Sequence, residues 1–156
     1  MTTATSRDSQ LQDDALHCSQ VAALPWRLDA DGSVQVLLIT SRTNAKWMLP
    51  KGWPMADKDD PQAALQEARE EAGIDGMVAS APIGSYHFIK LFDDGRTKPA
   101  QAVIYSLKVT AQHSKWSEKG QRKRRWFSPA KAAKAVTEPD LARFLRNLAD
   151  GRVVLI

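Results

Sequence analysis

The sequence predicts an α+β fold, a mixed β-sheet with helices packed on it. Strand patterns come first, one helix interrupts them, more strands follow, and two amphipathic helices close the chain. With 156 residues, 43% of them hydrophobic, there is material for one domain with a real core and not for two. No run approaches the ~18 apolar residues that span a bilayer.

Residues 1 to 16 are rich in Thr, Ser, Asp and Gln without periodicity, and are expected to form a flexible N-terminal tail ahead of a single domain over 17–156. Val21 to Trp26 and Val34 to Thr40 read as strands joined by a turn through Asp29, Asp31 and Gly32. The run Val34, Val36, Leu37, Leu38, Ile39 is nearly continuous, which predicts burial on both faces. Trp47 to Leu49 is a short apolar stretch before Pro50, Lys51 and Gly52. The clearest helix runs from Pro61 to Ala72, with Asp60 as N-cap and Gly73 as the stop. Parts of Met77 to Leu91 and Gln101 to Val109 read as strands around a turn at Asp93 to Arg96. Lys123 to Phe127 reads as a strand ending at Ser128-Pro129. Helices follow over Pro129 to Val136 and from Pro139, the latter burying Leu141, Phe144, Leu145 and Leu148.

Composition excludes several classes. Cys18 is the single cysteine, so neither an intramolecular disulfide nor a multi-cysteine zinc site can form. His17, His87 and His113 are too scattered for a histidine metal cage. Met1 to Asp14 is polar, which argues against a secretory signal, and a cytoplasmic protein without a membrane partner is expected. The net charge of +4 is concentrated: Lys119, Arg122, Lys123, Arg124 and Arg125 lie within one short segment. Removing those five from the 22 basic residues leaves 17 against 18 acidic ones. A local patch of this kind suits a phosphate-rich ligand better than a nucleic-acid coat.

The chemistry concentrates between Gly52 and Ile74. Glu67, Glu70 and Glu71 are spaced i, i+3 and i+4 and share one helix face, while Leu65, Ala68 and Ala72 can pack on the sheet. Clustered carboxylates push one another toward protonation. A hard divalent cation offsets that repulsion, and Mg²⁺ commonly binds one or two carboxylates plus substrate phosphates. Taken alone, an acidic string on a helix is most often a solvated face.

The segment resembles a Nudix box, whose pattern is G, five residues, E, seven residues, then R-E-U-x-E-E-x-G-U, with U apolar. Gly52, Glu67, Ala68, Glu70, Glu71, Gly73 and Ile74 fall in register, seven of nine specified positions over 23 residues. Lys58 replaces the first Glu and Gln66 replaces the Arg that orients a glutamate in the family. Gln66 can still donate a hydrogen bond, without charge. The flanking stretches Ser41 to Trp53 and Gly120 to Val136 are similar to those of diphosphoinositol polyphosphate phosphohydrolases.

This resemblance implies a Nudix-like mixed β-sheet sandwiched by helices, and a hydrolase of phosphoanhydride bonds that uses Mg²⁺ or Mn²⁺. It implies Glu70 as general base, and Glu67, Glu71 and the Lys51 carbonyl as metal ligands. It implies Ser41, Arg42, Arg122 and Arg124 as holders of substrate phosphates. The expected substrate is a polyphosphorylated small molecule, a diphosphoinositol polyphosphate or a diadenosine polyphosphate. Nucleic acid enters only in the alternative of an RNA 5′ pyrophosphohydrolase, and a further alternative is a Nudix domain that binds a nucleotide or phosphate without turnover. On the residues alone, Arg42 also reads as an ordinary surface residue, and the 119–125 cluster as a charged strand edge. Strand alternation puts Arg122 and Arg124 on one face and Lys123 and Arg125 on the other.

Overall fold

Alternation within the central strands decides the layers. The computed structural model describes residues 18–155, so the expected tail over 1–16 lies outside the described residues. In β1 (Ser19–Leu28), Val21 and Ala23 pack on one side, and Ala22 and Leu24 on the other. β2 (Val34–Thr40) repeats this with Leu37 and Ile39 opposed to Val36 and Leu38. Successive side chains of a strand point to opposite faces, so the continuous apolar run is two alternating sets feeding two cores.

β3 (Trp47–Met48), β4 (Lys51–Gly52), β5 (Ile74–Val78), β6 (Gly84–Leu91), β7 (Thr97–Gln112) and β8 (Arg124–Phe127) complete one mixed sheet of eight strands. β1 runs parallel to β7 from Ser19 opposite Gln101 to Trp26 opposite Lys108. The other edge of β7 is shared by β6 and β5, both antiparallel. The other edge of β1 is shared too: β4 pairs at Val21 and Ala22, and β2 at Trp26 to Leu28. β2 and β4 therefore hold different stretches of one edge, and the chain from β2 through β3 to β4 bridges them.

Helix α1 (Asp60–Ala72) covers one face, burying Ala63, Ala64, Leu65, Ala68 and Ala72 against Val21, Ala23, Leu37, Ile39, Tyr105 and Leu107. Helices α2 (Pro129–Ala135) and α3 (Pro139–Ala149) cover the other. There Leu141, Phe144, Leu145 and Leu148 pack on Ala22, Leu24, Val36, Leu38 and Ile104. The sheet is sandwiched as expected. No helix among the described residues is long and apolar enough to cross a membrane.

Several boundaries differ from expectation by a residue or more, and two of them have a clear physical reason. The cap of α1 is Asp59, not Asp60: its backbone is extended and its carboxylate accepts from the Gln62 N–H at 3.0 Å. Pro61 then sits at the second helical position, where its missing N–H is still harmless. The strand expected over Gln101 to Val109 runs from Thr97 to Gln112, because three partner strands satisfy its backbone along its length.

Candidate active site

The site begins with a close approach that only glycine permits. A Cβ on Gly52 would lie 2.3 to 2.7 Å from the three carboxyl atoms of Glu67. β4 thus rests directly against the glutamate face of α1. One residue earlier, the Lys51 N–H donates to Glu71 Oε1 at 3.1 Å. Pairing to β1 fixes this short strand, with Val21 opposite Gly52 and the Ala23 N–H donating to the Pro50 carbonyl at 3.0 Å. The loop and the helix are therefore locked together through backbone groups.

Glu71 is buried, and its carboxyl is pushed up to about 8, chiefly by burial. Arg122 opposes that shift, and the Glu67 charge and its hydrogen bond reinforce it. The nearest Arg122–Glu71 contact is 3.6 Å, an ion pair without a hydrogen bond, so burial wins. Glu67 is also raised, by burial first and then by the neighbouring Glu70 and Glu118, while its hydrogen bond with Glu71 works the other way. Of the two, Glu71 is the more strongly shifted toward its protonated form.

Arg122 is 7% exposed at its side chain. Its Nε donates to Glu118 Oε1 at 2.9 Å and its Nη1 to the Thr40 carbonyl at 3.1 Å. It is a buried support between β2, the segment after β7 and Glu71. Arg124 does not reach the cleft at all. Its Nη1 donates to the Ala72 and Gly73 carbonyls at 2.8 and 3.2 Å, its Nη2 to the His113 carbonyl at 2.6 Å, and its guanidinium stacks 3.9 Å from the Trp116 ring centre. A cation is favourable at a helix C-terminus, where carbonyls lack partners.

The rest of that terminus is capped by the β7–β8 connection. The Trp116 indole N–H donates to the Glu71 carbonyl at 3.2 Å, the Glu118 N–H to the Glu70 carbonyl at 3.1 Å, and the His113 N–H to the Gly73 carbonyl at 2.8 Å. Gly73 is left-handed (φ 66°), and a Cβ there would strike the Trp116 ring at 2.5 Å. The turn carrying Glu70 and Glu71 is thus held from outside the helix. Glu70 is oriented from within: Gln66 Nε2 donates to Glu70 Oε1 at 2.7 Å, so the glutamine in the arginine position still supplies a donor.

Ser41, Arg42, Lys51, Glu67, Glu71 and Arg122 line one cleft of about 820 Å³. Glu70 stands beside Glu67 and raises it, but is not part of the cleft wall. Ser41 Oγ is turned to Asn44 and accepts from the Lys46 N–H at 3.0 Å, which closes the turn before β3. Arg42 is 59% exposed and lies 3.8 Å from Glu118.

The cleft also holds groups that sequence reasoning did not single out. Lys51 Nζ sits 4.3 Å from the Phe88 ring centre and donates to Gln20 Oε1 at 3.3 Å; burial lowers its ammonium to about 8. The Tyr86 hydroxyl is buried in the same cleft with no hydrogen-bond partner among the described residues. The only sequence signal for Glu118 was its i, i+4 spacing to Arg122. Nothing local marked Tyr86 or Gln20, because β1 and β6 reach this cleft only through the sheet.

Among the described residues, no group of three or more His, Cys, Asp or Glu is gathered to hold a metal by itself. The donor set nevertheless fits a hard cation that completes its shell with water and substrate oxygens. Glu67 and Glu71 are neighbouring carboxyls, both raised chiefly by burial, and each oxygen they offer is of the hard type. A divalent ion held there would offset the cost of burying the two carboxylates side by side.

Residues 19–148 match the family model for the NUDIX domain. The chain is 27% identical to Nudix hydrolase 12, mitochondrial, of Arabidopsis thaliana, over 97% of this chain and 84% of that one. It is 26% identical to human diphosphoinositol polyphosphate phosphohydrolase 3-beta, over 85% of this chain and 78% of that one. The fold is similar to that of a C. elegans Ap4A hydrolase solved as a binary complex, with a TM-score of 0.64 at 20% identity, over 86% of this chain and 96% of that one.

Proposed function

We propose, from the premise that this chain belongs to the Nudix family and is a pyrophosphohydrolase of that type, that it cleaves a phosphoanhydride bond in a diphosphoinositol polyphosphate or a diadenosine polyphosphate. The observation that carries this is the wedging of Glu67 and Glu71 against Gly52 and Lys51, at the wall of a cleft large enough for a polyphosphorylated small molecule. The names of the human relative and of the C. elegans neighbour support these two substrate classes.

In this proposal Glu67, Glu71 and the Lys51 carbonyl hold Mg²⁺ or Mn²⁺. The ion, when bound, supplies charge screening and Lewis acidity at the phosphoryl oxygens. Glu70 accepts the proton of the attacking water, and Gln66 keeps its carboxylate aimed by the 2.7 Å hydrogen bond. Arg42 and Ser41 contact substrate phosphates from the exposed end of the cleft, since Arg42 is free to swing off Glu118. Arg122 contributes charge to the cleft wall from its buried position. Arg124, expected to hold phosphate, instead fixes the end of α1 and so the placing of Glu70 and Glu71. The reaction is placed in the cytoplasm as part of the same proposal.

The test is phosphate release from diphosphoinositol polyphosphates, dinucleoside polyphosphates and 5′-triphosphorylated RNA, with and without Mg²⁺ or Mn²⁺. Metal-dependent release from either small-molecule class, and slower release from RNA, is the expected result. Preference for RNA, or binding without any release, would overturn the assignment.

A further inference from the structure

We propose that Trp116 is a positioning residue of the reaction: from outside the cleft, its indole clamps the last turn of α1 and fixes where Glu70 and Glu71 stand. The proposal rests on the reading of these two glutamates as base and metal ligand, and it adds a residue that this reading does not use. A helix leaves its last four carbonyls without partners of its own, and its end frays. In α1 that end is the turn that carries the chemistry. A displacement of about 1 Å is enough to slow a reaction by on the order of a hundredfold.

Every carbonyl from Arg69 to Gly73 has a donor. The Gly73 N–H bonds Arg69 at 3.2 Å, and the Glu118 N–H bonds Glu70 at 3.1 Å. The Trp116 indole N–H bonds Glu71 at 3.2 Å, and Arg124 bonds Ala72 at 2.8 Å. Gly73 receives both Arg124 and the His113 N–H. Among the described residues, Trp116 supplies the one side-chain donor to a glutamate carbonyl of this turn.

The surroundings of Trp116 suit that task and no other. It is half-buried, yet it is part of neither apolar core and does not line the cleft. Its ring lies 3.9 Å from the Arg124 guanidinium, with the Lys119 ammonium at 5.8 Å. Cation–π contact of this kind holds an aromatic ring in place. An added Cβ on Gly73 would lie 2.5 Å from the ring, so glycine lets the indole close on the helix end. Indole and guanidinium thus act as one unit on the carbonyls of Glu71, Ala72 and Gly73. Two residues further on, the same connection delivers Glu118 to the cleft wall, where it accepts from Arg122 at 2.9 Å. The clamp therefore sets the glutamate turn against that wall. A cap that served stability alone would change the melting temperature and leave the folded protein's metal affinity and kcat as they are.

Trp116→Phe keeps a ring beside Arg124 and deletes the indole N–H, while Arg124→Gln deletes the stack and the bonds to Ala72 and Gly73. Leu148→Ala, in the opposite core and away from the cleft, is the destabilised control. Mn²⁺ affinity of the full chain is measured by electron paramagnetic resonance without substrate, and amide exchange by mass spectrometry without metal. The constants kcat and KM are measured with diadenosine tetraphosphate and with a diphosphoinositol polyphosphate. Both clamp variants are expected to bind Mn²⁺ about tenfold more weakly and to exchange about fivefold or more faster over residues 69–74, with 62–66 unchanged. Their kcat is expected to fall while KM is retained. Leu148→Ala is expected to melt earlier with wild-type Mn²⁺ affinity and kcat. Unchanged exchange in Trp116→Phe would overturn the proposal, and faster exchange with wild-type Mn²⁺ affinity would reduce the clamp to a helix cap and overturn it too. So would equal losses in Leu148→Ala, or a rise in KM alone, which would make Trp116 a substrate contact. A wild-type chain that takes up no Mn²⁺ fails the functional reading and the proposal with it. Mn²⁺ uptake without turnover of either substrate rejects only the substrate assignment, and affinity and exchange still decide the clamp.

Discussion

Replacing Glu71 by Gln removes the one buried carboxylate of the glutamate turn, and its effect on stability is set by protons. In the metal-free folded chain Glu71 keeps its proton up to about pH 8, against an ordinary value of 4.5. Between those two values the folded state binds more protons than the unfolded one, so stability falls as pH rises. The contribution is complete below the ordinary value and lost on passing the shifted one. At about 1.4 kcal/mol per pH unit, the gap from 4.5 to about 8 sets a ceiling of about 5 kcal/mol. Sharing of the proton with Glu67 spreads the titration and brings the expected effect to about 2–3 kcal/mol. Lys51, lowered to about 8 by burial, acts in the opposite sense and only above that pH, so the window of interest closes there. For a chain of this size the loss corresponds to roughly 5–10 °C in Tm. Thermal melts in a chelator, from pH 5.5 to 8, would show wild type declining relative to Glu71→Gln by that amount. Adding Mg²⁺ would restore wild type most at pH 8 and leave Glu71→Gln unmoved. Parallel pH curves for the two proteins would refute the reasoning.

Glu70→Gln is expected to lower kcat by about 10²–10⁴ with KM nearly unchanged, measured as anhydride turnover; an unaltered kcat would reject Glu70 as base. Gly52→Ala places a methyl where the Glu67 carboxylate lies, so metal affinity is expected to fall about tenfold or more in a Mn²⁺ titration, with CD unchanged. Arg122→Ala removes the buried guanidinium that bonds Glu118 and faces Glu71, and since Glu71 can take up a proton instead of standing uncompensated, denaturant unfolding at pH 8 is expected to show a loss of about 1–3 kcal/mol. Arg42→Ala, by contrast, removes an exposed and loosely paired side chain; stability within ~0.5 kcal/mol of wild type and a raised KM are expected in melts and steady-state kinetics.

Much of the fold was legible because it is written in local alternation. The apolar run of β2 named a two-sided strand, and Leu141, Phe144, Leu145 and Leu148 named the buried face of α3. The i, i+4 spacing of Glu67 and Glu71 was legible in the same way, and both line the cleft, whereas Glu70 at i+3 lies off its wall. What escaped was set by partners distant in sequence. Arg124 has the inward register expected of it, yet its guanidinium is taken up by the Ala72 and Gly73 carbonyls at the end of α1 and by the His113 carbonyl beside them. Arg122 was expected as a phosphate contact, but its surroundings include Glu71 and Glu118, and neither proximity follows from the sequence. The cap moved from Asp60 to Asp59 because either aspartate satisfies the local rule, and the backbone leaving the 53–58 loop selects between them. Tyr86 and Gln20 enter the cleft through the pairing of β6 and β1 with β7, an arrangement of long-range contacts.

The central claim is that Glu67 and Glu71, wedged against Gly52 and Lys51, hold a divalent ion for anhydride cleavage. Electron paramagnetic resonance of Mn²⁺ titrated into wild type and Glu67→Gln/Glu71→Gln, each saturated with a polyphosphate, tests it most directly. The account predicts stoichiometric capture of the ion by wild type and its loss in the double variant. Equal capture by both proteins, or none by wild type, would contradict it.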